Sequence, residues 1–220
     1  MTSLKIALPE GASTSGLLDG PAQPQACYVF AHGAGAGMNH AFMAALASGL
    51  AQRGVATLRF QFPYMEQGSK RPDTPKVAQA AVRAAVEEAA KRLPNVPLFA
   101  GGKSFGGRMT SQAQAAQPLA EVRGLVFVGF PLHATGKPST ERASHLAQVQ
   151  VPMLFLQGTR DTLAELDLIR EVTEKVGKRA TLHIVEGGDH SFHVLARSGR
   201  TDEQVRGELL DTMAGWMKSR

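Results

Sequence analysis

Six short runs of the chain are apolar almost from end to end: "ACYVFAHG" (26–33), "VATLRF" (55–60), "VPLFAGG" (96–102), "VRGLVFVGF" (122–130), "VPMLFLQG" (151–158) and "ATLHIVEG" (180–187). A strand with one wet face would alternate apolar and polar residues. Strands apolar on both faces must be covered on both faces, as parallel sheets packed between helices are. Helical patterns fill the intervals. They cover 39–54, closed by Gly54; 74–94, with Thr74 as N-cap and Pro75 in first position; 106–117; 163–177, ended by Gly177; and 202–220. Strand–helix alternation with short connections implies an α/β fold, with a mainly parallel, doubly wound sheet flanked by helices. The opening segment, about 1–20, could add one or two edge strands such as "LKIAL". At 220 residues, without repeats or a low-complexity linker, the chain is expected to form a single domain, 1–220.

In such sheets, function gathers at the carboxyl ends of the strands, and the glycine-rich segments fall there. Two of them invite a phosphate reading. A P-loop ending in Gly102-Lys103-Ser104 would need glycine at position 97, which is Pro97, and "PLFAG" reads as the strand itself. A dinucleotide fingerprint starting at Gly33 would need its third glycine at 38, which is Met38. The next strand then ends in Arg59 and Phe60 rather than in an acid for a ribose. Neither segment is expected to bind a nucleotide.

"GGKSFGG" carries a second pattern, G-x-S-x-G, between a strand and a helix. Small residues on both sides of a serine permit the strained turn that lifts its hydroxyl clear of the backbone. Serine is a poor nucleophile at neutral pH, so a base, an acid to orient that base and oxyanion donors must accompany Ser104. On this architecture the order is serine, acid, histidine. Asp161 follows the strand 151–158 in "QGTRD", and His190 follows the strand 180–187 in "GGDHSF". His193 is the competing base and Asp189 a rival acid, poorly placed to brace the ring next to it in sequence. His183, inside a strand, reads as structural, and Glu165 and Asp167 as a solvated helix face. The oxyanion donors would be the N–H groups of Phe105, after the nucleophile, and Ala34, in "HGAGAG" (32–37), a loop that His32 would orient. Lys103 is then the variable residue beside the nucleophile, its ammonium expected to be solvated, or else to sit near the cleft and favour negative substrates.

Composition narrows the partners. The net charge of +5 could suggest nucleic acid, but the basic residues are scattered and aromatics make up only 6% of the chain, so no nucleic-acid partner is expected. The single cysteine, Cys27, excludes an internal disulfide and fits a reducing cytoplasm, and its place in an apolar run makes it a buried structural thiol. No apolar run approaches the roughly 18 residues of a membrane span, and "MTSLKIALPEGASTS" lacks the apolar core of a secretory signal.

Taken in order along the chain, "HGAGAG", "GGKSFGG", "QGTRD" and "GGDHSF" resemble the motifs of the α/β-hydrolases, and the resemblance spans nearly all of it. Within that superfamily the chain is similar to small bacterial hydrolases grouped near the dienelactone hydrolases. "GGKSFGGRM" and "QGTRD" also resemble a hydrolase-like domain in a subunit of a nuclear histone-acetylation complex. The resemblance implies the α/β-hydrolase fold and a triad of Ser104, Asp161 and His190. Dienelactone hydrolases carry a cysteine nucleophile, so a serine at 104 gives no ground for assuming lactone substrates. The interval 131–150 is too short for a cap domain, so an open or lightly covered cleft with minimal or no cap is expected. Within it "RASHL" (142–146) is expected to pack, or to brace the loop against the acid turn. The loop 59–73 is expected to form a second wall of the cleft. The resulting expectation is a cytoplasmic serine hydrolase, free of metal and cofactor, acting on a small-molecule ester or thioester. Amide cleavage is not separable from ester cleavage at this level, and a non-catalytic or weakly catalytic interaction module is the rival from another class.

Overall fold

The structure is a computed structural model that describes residues 1–220. Eight strands, β1 (Thr2–Ala7), β2 (Ser13–Asp19), β3 (Ala26–Ala31), β4 (Val55–Phe60), β5 (Leu98–Lys103), β6 (Val122–Val128), β7 (Met153–Gly158) and β8 (Ala180–Val185), form one sheet in the order β1-β2-β4-β3-β5-β6-β7-β8. Only β2 runs against its neighbours; every other pairing is parallel. The edge strands anticipated in the opening segment are β1 and β2.

The helices are α1 (Ala41–Gln52), α2 (Pro63–Glu66), α3 (Pro75–Arg92), α4 (Phe105–Ala116), α5 (Leu166–Val176) and α6 (Asp202–Lys218). Because side chains alternate across a strand, each central strand feeds two cores. Cys27, Val29 and Ala31 of β3 pack with the layer containing α3, α4 and α5. Ala26, Tyr28 and Phe30 pack with the layer containing α1 and α6. β7 divides in the same way, Met153 and Phe155 to one side and Leu154 and Leu156 to the other. This two-sided burial is the physical reason for the unbroken apolar runs of the inner strands; β8, expected to be covered on both faces, is an edge strand and only Val185 of it is buried. No helix is long and apolar enough to cross a membrane.

Several boundaries differ from the sequence expectation for identifiable reasons. α1 begins at Ala41 because the His40 ring serves as its N-cap, accepting the Phe42 N–H at 3.3 Å. Thr74 has the extended backbone of an N-cap but makes no side-chain cap bond, so Pro75 sets the start of α3 alone. α5 begins at Leu166 rather than 163 because the preceding residues form the turn that holds Asp161. α6 opens with a reciprocal capping box between Thr201 and Gln204.

The interval 131–150 holds no cap domain, only a 3-10 stretch, Glu141–Gln148. "RASHL" does pack, but against α4 and not against the acid turn: Ala143 and Leu146 are buried, and His145 Nε2 lies 2.7 Å from Ser111 Oγ. Burial and the nearby Arg108 push the His145 pKa down to about 4, which keeps this ring a neutral partner. The acid turn is tied instead by the start of the interval, where the Leu132 and His133 N–H groups donate to Leu163 O at 2.8 and 3.1 Å.

Candidate active site

The carboxyl ends of β3, β5, β7 and β8 meet at one edge of the sheet. At the end of β5 the chain turns into α4 through Ser104, whose backbone angles of φ 51° and ψ −116° are rare for a residue with a side chain. Strain of this kind costs on the order of 1–3 kcal/mol and persists only where its surroundings enforce it. The enforcement comes from close backbone packing. A Cβ at Gly102 or at Gly106 would lie 2.5 Å from Ala31 O, so only glycine lets β3 pass this close beneath the turn.

Ser104 Oγ lies 2.8 Å from His190 Nε2, and His190 Nδ1 lies 2.7 Å from Asp161 Oδ2. The Asp161 side chain is fully buried, and a buried carboxylate requires donors. Besides His190 it accepts the Leu163 N–H at 2.8 Å and Gln157 Nε2 at 2.5 Å. An ionised carboxylate only accepts, so His190 Nδ1 carries the proton and Nε2 presents its lone pair to the serine hydroxyl.

The rival residues are occupied elsewhere. His193 is exposed and pairs with Asp202 at 2.8 Å, an interaction that raises its pKa. Asp189 Oδ1 accepts the Ser191 and His193 N–H groups and so shapes the turn that carries His190. His183, on β8, pairs with Glu208 at 2.7 Å. Glu165 is not simply solvated: it lies 2.7 Å from His133 Nε2.

Of the two candidate oxyanion donors, Ala34 N–H and Phe105 N–H, the first lies in a loop and has no hydrogen-bond partner within the protein. Phe105 is the first residue of α4, where the helix presents its positive end. Ala34 is held from behind. Tyr64 Oη donates to Ala34 O at 2.6 Å, and Met38 N–H donates to Gln61 Oε1 at 2.8 Å. His32 braces the same loop: Phe62 N–H donates to its Nε2 at 3.0 Å, which leaves the proton on Nδ1 for Gly33 O at 2.8 Å. Burial pushes the His32 pKa down to about 4, so the ring stays neutral in this role.

A cleft of about 360 Å³ opens over Ser104 and carries no lid. One wall is the 33–36 loop. The other runs through His40, Phe42 and Met43, with Leu163, His190 and Ser191 completing the rim. The segment 59–73, expected as a second wall, does not line this cleft. Its aromatic residues, Phe60, Phe62 and Tyr64, are buried, and it supports the oxyanion loop from beneath. Lys103 also lines this cleft and is only half-buried, but its ammonium is engaged rather than free in water. Its Nζ donates to His190 O at 2.6 Å and lies 5.8 Å from the centre of the Phe192 ring, and burial lowers its pKa to about 8.

Three residues with roles here escaped the motif reading. Gln157 left one trace, a polar residue at the end of an otherwise apolar strand run, "MLFLQG". Tyr64 and Lys103 left none that spacing could reveal, because their partners lie 30 and 87 residues away.

Solved structures of similar shape are numerous. A lidless α/β serine hydrolase from Xanthomonas campestris superposes with a TM-score of 0.76 at 23% identity, covering 98% of this chain and 94% of that one. A dienelactone hydrolase from Anabaena variabilis gives 0.77 at 20% identity, covering 98% and 95%. Est1E from Butyrivibrio proteoclasticus, in its complex with ferulic acid, gives 0.72 at 18% identity, covering 96% and 99%. These likenesses show a shared fold. The family described as "Alpha/beta hydrolase domain" matches residues 24–218, so the chain belongs to the α/β-hydrolases.

Proposed function

We propose that the protein is a serine hydrolase that cleaves a carboxylic ester or thioester of a small molecule through an acyl-enzyme. The observation that carries this reading is the unbroken chain from Ser104 Oγ through His190 to the buried Asp161, at 2.8 and 2.7 Å, on the floor of an open cleft. In this reading Ser104 Oγ attacks the carbonyl carbon while His190 Nε2 takes the hydroxyl proton. Asp161 holds the ring in the required tautomer and stabilises the imidazolium. The negative oxygen of the tetrahedral intermediate is held by Ala34 N–H and Phe105 N–H. As the intermediate collapses, His190 gives the proton to the departing alcohol or thiol. Water then attacks the acyl-serine, with His190 as base again, and releases the acid.

The cleft supports a small acyl group. Its lining is mostly alanine, glycine, Phe42, Met43 and Leu163. The lack of a lid leaves room for a leaving group that extends into solvent. Ser104→Ala should abolish hydrolysis of short p-nitrophenyl esters with no change in the circular dichroism spectrum. A variant that keeps wild-type turnover would remove Ser104 from the reaction. A folded wild-type protein that refuses a fluorophosphonate probe would favour a binding module over an enzyme.

A further inference from the structure

Lys103 stands next to the nucleophile, yet the proposed chemistry leaves it without a task, and its surroundings are unusual for a lysine. The residue before a nucleophile on an exposed turn could carry its charge into water. Here the side chain is half-buried along the cleft, and its ammonium reaches across to the loop after β8, where it donates to the main-chain oxygen of His190 at 2.6 Å. That oxygen has no other donor within the protein. Room for the ammonium depends on Gly129 at the end of β6: a Cβ there would come within 3.0 Å of Nζ.

The loop after β8 is otherwise held by itself, by the turn after β7, by Asp202 of α6, which accepts the Val194 N–H and pairs with His193, and by burial of Phe192 and Val194. Asp189 Oδ1 accepts Ser191 and His193 N–H, Asp189 N–H donates to His193 O, and Arg160 N–H donates to Gly188 O. None of these bonds joins it to the strand that delivers the nucleophile. Besides the Lys103 ammonium lying 5.8 Å from the Phe192 ring centre, only two hydrogen bonds do, from adjacent residues of β5 and its turn: Ser104 Oγ to the His190 ring, and Lys103 Nζ to the His190 carbonyl. The first is the bond that must break and re-form during proton transfer. The second is available throughout.

We infer that Lys103 is a positioning residue for His190, its ammonium fixing the backbone of the base relative to the nucleophile so that the ring keeps its place when the serine gives up its proton. This role rests on the serine-hydrolase reading above. Burying an ammonium costs free energy, and a neutral side chain would pack here without that cost, so the charge is retained for what it holds. The titratable groups facing it are Asp161 on the β7 turn, and Asp189 and His190 on the loop after β8. The two carboxylates favour the charged amine, but burial outweighs them and leaves its pKa at about 8. The clamp is therefore mostly charged below that pH and weakens progressively through and above it, as a neutral amine replaces a charge-assisted donor.

The test compares Lys103→Met, which keeps the length of the stem and removes the donor, with Lys103→Arg, which keeps a donor that does not titrate in this range. Ester hydrolysis is followed as a function of pH, alongside amide hydrogen exchange in residues 188–193. Lys103→Met should lower kcat by about 10-fold or more, as expected for a displaced catalytic group, while KM for a neutral ester stays within about 3-fold. It should also lose the fall in kcat above about pH 8 and exchange its histidine-loop amides faster. Lys103→Arg should recover part of kcat and also lack the alkaline fall. Wild-type kcat, pH profile and loop exchange in Lys103→Met would overturn the inference even with Ser104→Ala inactive. A loss of kcat that leaves loop exchange and the alkaline limb unchanged would overturn it as well. If Ser104→Ala remained active, the hydrolase reading itself would fall, and the exchange result alone would decide whether Lys103 tethers the loop.

Discussion

Gln157 offers the sharpest test of how the candidate acid is supported. Its side chain is fully buried and bonds in two directions: Oε1 accepts the Phe130 N–H at 3.0 Å, and Nε2 donates to Asp161 Oδ2 at 2.5 Å. The backbone N–H can only donate, so the amide orientation is fixed by the pairing itself. In Gln157→Leu both bonds are lost with little change of volume. A hydrogen bond to a charged group contributes about 1.5–3 kcal/mol, and a buried N–H left without an acceptor costs about 1–3 kcal/mol. The sum, about 2.5–6 kcal/mol, is a large share of the roughly 5–15 kcal/mol that stabilises a typical domain. Urea denaturation should show the midpoint falling with the slope unchanged, and kcat should fall because one of the three donors that hold Asp161 is gone. Gln157→Glu is the control of matched size. It keeps an acceptor for Phe130 but sets a second carboxyl against Asp161, so it should be as damaging at neutral pH and recover partly in acid, where a shared proton restores the bond. A loss below about 1 kcal/mol in Gln157→Leu, with wild-type kcat, would refute this account of the acid.

Two further outcomes follow from the same geometry. Gly106→Ala would drive a Cβ to within 2.5 Å of Ala31 O and 2.6 Å of His32 O, both backbone atoms, so it should cost several kcal/mol, on the order of 3 or more, as overpacking against a rigid neighbour does; the melting temperature and the soluble yield report it. His32 is held at a pKa of about 4 against an ordinary 6.5, so its neutral form is the one the fold requires and its contribution is complete above pH 6.5. Stability should then fall as pH drops from about 6.5 towards 4, by up to about 3 kcal/mol from this ring. His145, also lowered to about 4, adds in the same direction. Denaturation midpoints measured between pH 7 and pH 4 should trace that fall, and a flat profile would show that neither ring is held neutral.

The features legible in the sequence and those that were not differ in the kind of information they need. The sheet could be read because burial on both faces leaves a local mark, the unbroken apolar run: β3 is buried at all six of its residues. Ser104, Asp161 and His190 could be proposed together because each sits in a turn at the end of such a run, and the order of those turns is a property of the chain. Tyr64, Gln157 and Lys103 obey no such rule. Each acts on a backbone atom of another segment, Ala34 O, Phe130 N–H and His190 O respectively, and every residue has a backbone, so the target carries no sequence signature. The same blindness explains the segment 59–73. Its prolines and charges read as an exposed wall, yet Phe60, Phe62 and Tyr64 decide where it lies, because burying three aromatic side chains outweighs leaving them to line an open cleft. "RASHL" was open to misreading for a related reason. His145 could have met any polar group nearby, and only the fold shows that Ser111 of α4 is the group within reach. The candidate triad was therefore predictable from local pattern, whereas the side chains that hold it still, and the cleft wall of His40, Phe42, Met43 and Leu163, became visible only when distant segments were brought together. Lys103 lies on the boundary between the two. It stands next to the nucleophile in the motif, and what it holds is reached only through the fold.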